Sequence, residues 1–180
     1  MDETGHSRRE LLLAGGAALA ATAVPLLVEA REAIAQAGSG DDESIISAAL
    51  NLEVTAAEAY QRSQAQLGGV ARLFRNHERQ HALALTAALR QMGAKPRASL
   101  DSDTLSSLAA ATSRRNRALF LIDVENTAVR AYEDATRRLR DAATMQLVAT
   151  ILGNQAQHLV VLRQIAGRRP VPDAFERGRS

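Results

Sequence analysis

Two stretches of the chain, NHERQHALAL from Asn76 to Leu85 and GNQAQHLVVL from Gly153 to Leu162, are versions of one pattern. Aligned on His81 and His158, the first reads Glu-x-x-His, the second reads Gln-x-x-His, and an apolar run follows each. A separation of three residues places both side chains on one face of a helix. Because carboxylates and imidazoles are natural ligands of divalent metals, the first stretch predicts half of a metal site. The second predicts a related half in which an amide replaces a carboxylate.

A second pattern also occurs twice. EVTAAEAY places Glu53 seven residues before Tyr60, and ENTAVRAY places Glu125 seven residues before Tyr132. The second copy lies 72 residues after the first, while the two histidines of the first pattern are 77 residues apart. These similar offsets indicate a helix hairpin that occurs twice, which argues against coincidence. Both tyrosines are expected to pack in the core with a buried hydroxyl hydrogen bond.

Apolar residues recur at three- and four-residue spacing in four segments, which predicts four amphipathic helices at about 41–67, 70–92, 113–140 and 142–166. Asp41, Thr112 and Asp141 are candidate N-caps, and Gly93 and Gly167 are suited to end helices. Aromatic residues make up only 3% of the chain, so the core is mainly aliphatic. The connections are short, long and short. The sequence therefore predicts an all-α four-helix bundle made of two antiparallel hairpins joined by a long crossover, which contains a short helix near 103–111.

The helical spacing places six polar residues on the apolar faces of these helices: Glu53, Glu78, His81, Glu125, Gln155 and His158. Burying carboxylates is costly unless charge or hydrogen bonds compensate. A pair of iron or manganese ions would supply that compensation, whereas a polar core network without metal is the alternative. His77, next to Glu78, is expected to face a helix boundary or solvent, and a contact with the metal ligands is the alternative.

These patterns resemble the ferritin-like superfamily over residues 41–167. The chain is most similar to exported, single-domain bacterial ferritin-like proteins with bacterioferritin-type ligand spacing. The resemblance implies terminal metal ligands at Glu53, His81, Glu125 and His158, and it implies bridging ligands at Glu78 and Gln155.

Gln155 departs from the family pattern, in which a carboxylate bridges both ions. With only three carboxylates, two divalent ions would leave one positive charge uncompensated, and a neutral amide bridges two metals poorly. We therefore expect a weakened site that holds one ion or none. Two functions remain open: a metalloprotein that reacts with oxygen or peroxide, and a metal-free bundle with a structural or partner-binding role in the cell envelope.

The N-terminal segment resembles a twin-arginine export signal. Arg8 and Arg9 precede an apolar stretch over residues 11–28, and small residues suited to signal peptidase follow at Ala33, Ala35 and Ala37. We predict a signal peptide at 1–37, the bundle at 38–167 and a disordered basic tail at 168–180. The mature protein would lie beyond the cytoplasmic membrane without stable membrane insertion. A single uncleaved anchor is the alternative.

Composition excludes several classes of protein. The chain of 180 residues has no cysteine, so it forms no disulfide, cysteine-ligated zinc site or iron–sulfur cluster. Its net charge is +2, and no basic stripe is interleaved with aromatic residues, which argues against nucleic-acid binding. Because the sequence contains no added assembly helix, a monomer or dimer is expected rather than a cage.

Overall fold

The computed structural model describes residues 27–38 and 41–179, which form helices and connecting segments without a β-strand. The predicted twin-arginine motif and the apolar stretch up to residue 26 lie outside the described residues. The helices are α1 (Val28–Gln36), α2 (Asp42–Gln61), α3 (Gln64–Leu67), α4 (Gly69–Gln91), α5 (Ser102–Ser107), a short 3-10 helix (Leu108–Ala110), α6 (Arg114–Arg138) and α7 (Ala142–Ile165).

The four long helices α2, α4, α6 and α7 form the predicted bundle. Helix α2 packs along α4, and α6 packs along α7, each pair being joined by a short connection. Further contacts of α2 with α6 and of α4 with α7 close the bundle. The crossover from α4 to α6 contains α5 and the 3-10 helix. The all-α architecture of two hairpins and a crossover is thereby confirmed.

Side chains at the helix starts set where the long helices begin. Asp41 accepts a hydrogen bond from the Ser44 amide at 3.2 Å, and Asp141 accepts one from the Thr144 amide at 2.7 Å, as predicted. Helix α6 is capped by Ser113 rather than by the predicted Thr112, because the Ser113 hydroxyl accepts from the amide three residues later at 3.1 Å.

Helix ends are set by backbone geometry. Gly93 and Gly167 both have positive φ angles, 84° and 70°, which a side chain at either position would disfavour. The first predicted helix ends earlier than expected, at Gln61. There the Ser63 hydroxyl donates to the Ala59 carbonyl at 2.6 Å, and the chain re-forms a turn as α3.

Two apolar clusters fill the bundle, one on each side of the level at which Glu53 and Glu125 lie. One contains Ile45, Ile46 and Leu89, among others, and the second contains Phe74 and Leu162. Both clusters consist mainly of alanine, leucine, isoleucine and valine, as the composition predicts. The polar residues of the site are therefore enclosed by apolar packing at both ends.

Helix α1 is an additional core element that the sequence did not predict. Ile34 is completely buried, and the helix packs against α2 and α6. The Leu27 amide donates to Asp101 and Thr104, both at 3.1 Å, and Arg138 donates to the Ala37 carbonyl at 3.1 Å. The last part of the predicted leader is thus docked on the bundle at both of its ends.

The tail at 168–179 contains no helix or strand, but it contacts the bundle. Glu176 forms an ion pair with the buried Arg163 at 2.5 Å, and Arg130 donates to the Gly178 carbonyl. The tail predicted to be disordered is therefore anchored near its end. Within residues 27–38 and 41–179, no helix combines the length and hydropathy required to cross a membrane.

Candidate metal centre

The structure brings all six predicted site residues together in the middle of the bundle. Each long helix contributes: Glu53 comes from α2, Glu78 and His81 from α4, Glu125 from α6, and Gln155 and His158 from α7. All are buried except His81, whose side chain is 14% exposed.

Two groups of potential ligands share Glu78. In the Glu53 subsite, Glu53, Glu78 and His81 offer ligand atoms within 4.8 Å of one another. In the Glu125 subsite, Glu78, Glu125 and His158 do the same. Glu78 is therefore the single carboxylate placed to serve both subsites.

In the Glu53 subsite both oxygens of Glu53 and one oxygen of Glu78 are engaged. His81 Nδ1 lies 3.1 Å from Glu53 Oε2 and 3.0 Å from Glu78 Oε2. The Gln155 amide nitrogen donates to Glu53 Oε1 at 3.1 Å and to Glu78 Oε2 at 3.2 Å. Tyr132 also donates to Glu53 Oε1.

In the Glu125 subsite several oxygens lack donors. His158 Nδ1 lies 3.1 Å from Glu125 Oε1, which also accepts from the Tyr60 hydroxyl. The same nitrogen lies 3.0 Å from Glu78 Oε1 without forming a hydrogen bond. Glu78 Oε1, Glu125 Oε2 and Gln155 Oε1 are buried and have no hydrogen-bond partner.

The two tyrosines connect the halves of the bundle in a reciprocal way. Tyr60 of α2 donates to Glu125 of α6, and Tyr132 of α6 donates to Glu53 of α2. The predicted buried hydroxyl hydrogen bonds are present, and each crosses from one hairpin to the other. This exchange matches the repeat seen in the sequence.

Comparison with known protein families assigns the chain to a family. The sequence matches the ferritin-like domain family over residues 41–168. The chain belongs to the ferritin-like domain family. Comparison with curated proteins and with solved structures gave no significant match. In this ferritin-like domain the six polar residues have the helix order that the repeat predicts.

Burial and neighbouring groups shift the pKa values of the carboxyl groups in this ferritin-like domain, and the direction differs between residues. Desolvation raises the pKa of Glu53 well above its usual range, and the charge of Glu78 raises it further. Desolvation also raises the pKa of Glu125. For Glu78 burial acts in the same direction, but the hydrogen bonds with Glu53 and His81 and the ion pair with His158 outweigh it and lower the pKa. Glu78 is thus the carboxylate that stays ionised.

Both imidazoles become stronger bases in this environment. Burial acts to lower the pKa of His81, but hydrogen bonds to Glu53 and Glu78 outweigh it and raise the pKa to about 10. At His158 burial again acts to lower the pKa, but the charge of Glu125 and the hydrogen bonds of the ring outweigh it and raise the pKa to about 10. Without metal, both histidines are therefore cationic at neutral pH and offset the carboxylate charge.

His77 contacts the site, which was the less favoured of its two sequence interpretations. Its Nδ1 lies 3.0 Å from His158 Nε2, and the two rings stack with centroids 5.3 Å apart. Phe74 stacks on His158 at 3.9 Å. His77 is half-buried and contacts the site, whereas a boundary or solvent position was expected. The available signal was its position four residues before His81 on the same helix.

A cleft of about 300 Å³ between α4 and α7 reaches the outer side of the site. It is lined by His77, Gln80, His81, Thr150 and Asn154, together with apolar residues. Since His81 is the site residue with exposed surface, a small solute in this cleft would meet its imidazole.

Proposed function

We propose that this chain is an exported ferritin-like protein that binds iron or manganese at a degenerate di-metal carboxylate site of the bacterioferritin type. The observation that carries the proposal is the set of buried oxygens without donors at Glu78, Glu125 and Gln155. Buried polar atoms in proteins are nearly always satisfied, and a cation beside such oxygens would account for the exception.

The donor set also fits these metals. Three carboxylates, two imidazoles and one amide supply oxygen and nitrogen ligands, which suit divalent iron and manganese. Glu53 and His81 would hold one position, Glu125 and His158 the other, and Glu78 would reach both. Gln155 takes the place of the second shared carboxylate and lowers the negative charge available to the ions.

When bound, the metal would supply reducing equivalents to oxygen or peroxide. The chain's own residues prepare the site for that chemistry. Tyr60 and Tyr132 fix the orientation of Glu125 and Glu53 by donating hydrogen bonds to them. The apolar clusters at either end limit access of water, and the cleft beside His81 is wide enough for a small oxidant.

A metal-free role remains the second candidate, and one observation favours it. The cationic His81 and His158 pair with Glu53, Glu78 and Glu125, so the cluster neutralises much of its own charge. Such a network could stabilise a bundle that serves a structural or partner-binding function in the cell envelope.

Metal content distinguishes the two candidates. Protein folded with iron or manganese should contain up to about one ion per chain, and its melting temperature should rise when either ion is added. Glu78→Gln should abolish both effects, since Glu78 serves both subsites. Glu43→Gln, which removes an exposed carboxyl group from α2, is the matched control. Protein that retains no metal and does not respond in its melting favours the metal-free role.

Export is supported by the Arg8–Arg9 motif and the apolar segment after it. Replacing both arginines with lysine should retain the protein in the cytoplasm, as cell fractionation would show. Unchanged export would contradict the twin-arginine route. Light scattering on the purified chain should give the mass of a monomer or dimer, and a mass typical of a cage would contradict that expectation.

A further inference from the structure

We infer that this chain holds its single ion in the Glu125 subsite, between Glu78, Glu125 and His158, rather than in the Glu53 subsite. The inference rests on the proposed function, and it assigns a location that the ligand pattern alone leaves open. Two independent features of this chain break the symmetry between the subsites: the orientation of Gln155 and the presence of His77.

The Gln155 amide closes the Glu53 subsite. Its nitrogen donates to Glu53 Oε1 and Glu78 Oε2, which are oxygens that an ion in this subsite would need. If the amide were flipped, its oxygen would lie 3.1 and 3.2 Å from the same two carboxylate oxygens. Repulsion would then replace two hydrogen bonds. The donor edge is therefore held toward Glu53, and an ion there would have to displace it.

The Glu125 subsite presents acceptors instead. Because the amide nitrogen of Gln155 faces Glu53, its oxygen is directed away from that subsite. Gln155 Oε1, Glu125 Oε2 and Glu78 Oε1 are the site oxygens without donors. Glu78 Oε1 and Glu125 Oε2 belong to the Glu125 subsite and keep lone pairs that no hydrogen bond uses, and an ion bound to His158 Nδ1 would replace that nitrogen's contacts with the two carboxyl groups. Binding a cation here requires the loss of fewer existing hydrogen bonds than binding in the Glu53 subsite.

His77 adds a second difference. For His158 to bind a metal through Nδ1, its proton must lie on Nε2, and His77 Nδ1 is placed at 3.0 Å to accept that proton's hydrogen bond. The position equivalent to His77 on α7, four residues before His158, is Asn154. The Asn154 amide donates to Gln157 at 3.4 Å. Among the described residues, no second imidazole contacts His81 in the way that His77 contacts His158. His77 thus acts as a positioning residue for one subsite only.

The deciding experiment is crystallography of the full chain with Mn²⁺ alone, using anomalous scattering to locate the ion. We expect one peak beside Glu125 and His158. Parallel titrations with Mn²⁺ compare variants in which one ligand of either subsite is replaced by glutamine. Glu125→Gln and His158→Gln should lose binding, whereas Glu53→Gln and His81→Gln should bind within about tenfold of the parent, since those side chains belong to the other subsite. Melting of each metal-free variant verifies folding.

The His77 contact has its own test. His77→Phe keeps a ring against His158 but removes the acceptor, so Mn²⁺ affinity should fall about 10- to 100-fold with little change in metal-free melting. Asn154→Ala is the matched control and should leave affinity unchanged. A peak beside Glu53 and His81, or equal losses in both sets of variants, would overturn the inference while leaving metal binding intact. A parent protein that binds no Mn²⁺ or Fe²⁺ would overturn the proposed function as well.

Discussion

At the scale of single residues, one amide defines this site. Gln155 has nearly the shape of glutamate, and it lies at the position that the repeat equates with Glu78. Its neutral amide donates hydrogen bonds to Glu53 and Glu78, whereas a carboxylate at this position would repel them. The two carboxyl groups can therefore lie close to residue 155 without a metal ion. The same property that stabilises the metal-free cluster reduces its capacity for cations.

The charge of residue 155 can be restored by Gln155→Glu. Metal-free protein should lose about 1 to 3 kcal/mol of stability, because two hydrogen bonds are replaced by a fourth buried carboxyl group. Binding should rise from one ion toward two per chain, and the gain in melting temperature with Fe²⁺ or Mn²⁺ should grow. Gln157→Glu, an exposed change on the same helix, is the control. If the variant binds no more metal than the parent and its melting does not respond to metal, the cluster is a polar core network.

The histidines make the stability of the metal-free protein depend on pH. His81 and His158 have a folded pKa of about 10 against an ordinary value of 6.5, so their protonation stabilises the fold fully below about pH 6.5. That contribution is lost as the pH rises toward 10. Urea unfolding with chelator present should show stability falling across this range. The double variant His81→Gln, His158→Gln should have a flatter profile, and an equally steep one would contradict the assignment.

At the scale of elements, helix α1 alters the picture that the sequence suggests. Small and apolar residues before residue 38 have the pattern of a leader, yet Ile34 is as buried as any residue of the long helices. The contacts of Leu27 with Asp101 and Thr104 connect this helix to the crossover as well. Helix α1 therefore contributes to stability beyond the domain matched by the family.

Truncating Ile34 should measure that contribution. Ile34→Ala removes a fully buried side chain and should cost about 2 to 5 kcal/mol of stability in the chain that retains α1. Glu32→Ala changes an exposed position on the same helix and should have little effect. Denaturant unfolding of the two variants gives the comparison. Equal stability of both would mean that α1 does not pack on the bundle in solution.

Sequence periodicity predicted the four long helices to within a few residues, apart from the break at Gln61, because apolar stripes and capping residues act locally. It also selected the six polar residues, since charge on an apolar face is conspicuous. It could not predict the role of His77 or the subsite toward which Gln155 donates, because these depend on distances between helices. Helix α1 was missed for a different reason: a leader and a docked helix share the same apolar composition.

At the scale of the whole molecule, the crossed tyrosines join the two hairpins. Tyr60 and Glu125 lie on different hairpins, as do Tyr132 and Glu53. Each of these two hydrogen bonds therefore joins a tyrosine of one hairpin to a carboxyl group of the other. The site therefore forms only when the two halves associate, which couples its assembly to folding of the complete bundle.

This coupling predicts one cooperative unfolding transition. Tyr60→Phe should lower stability by about 1 to 3 kcal/mol, since it removes a donor from a buried carboxyl group. A double-mutant cycle with Glu125→Gln should reveal a coupling energy between the residues, whereas Tyr60→Phe combined with the distant Ile34→Ala should be additive. Calorimetry should show a single transition in each variant. Separate transitions for the two hairpins would contradict the coupling.

If the chain is exported and cleaved as proposed, the docking of α1 has a kinetic consequence. The candidate cleavage residues Ala33 and Ala35 lie within the helix, and Ala37 follows it directly. A peptidase acts on an extended chain, so a protein exported after folding would present these bonds only during local opening of α1. The rate of processing would then report the small fraction of molecules in which the helix is detached. Substitutions that weaken the contacts of Leu27 or Ile34 would accelerate maturation without changing the peptidase recognition residues.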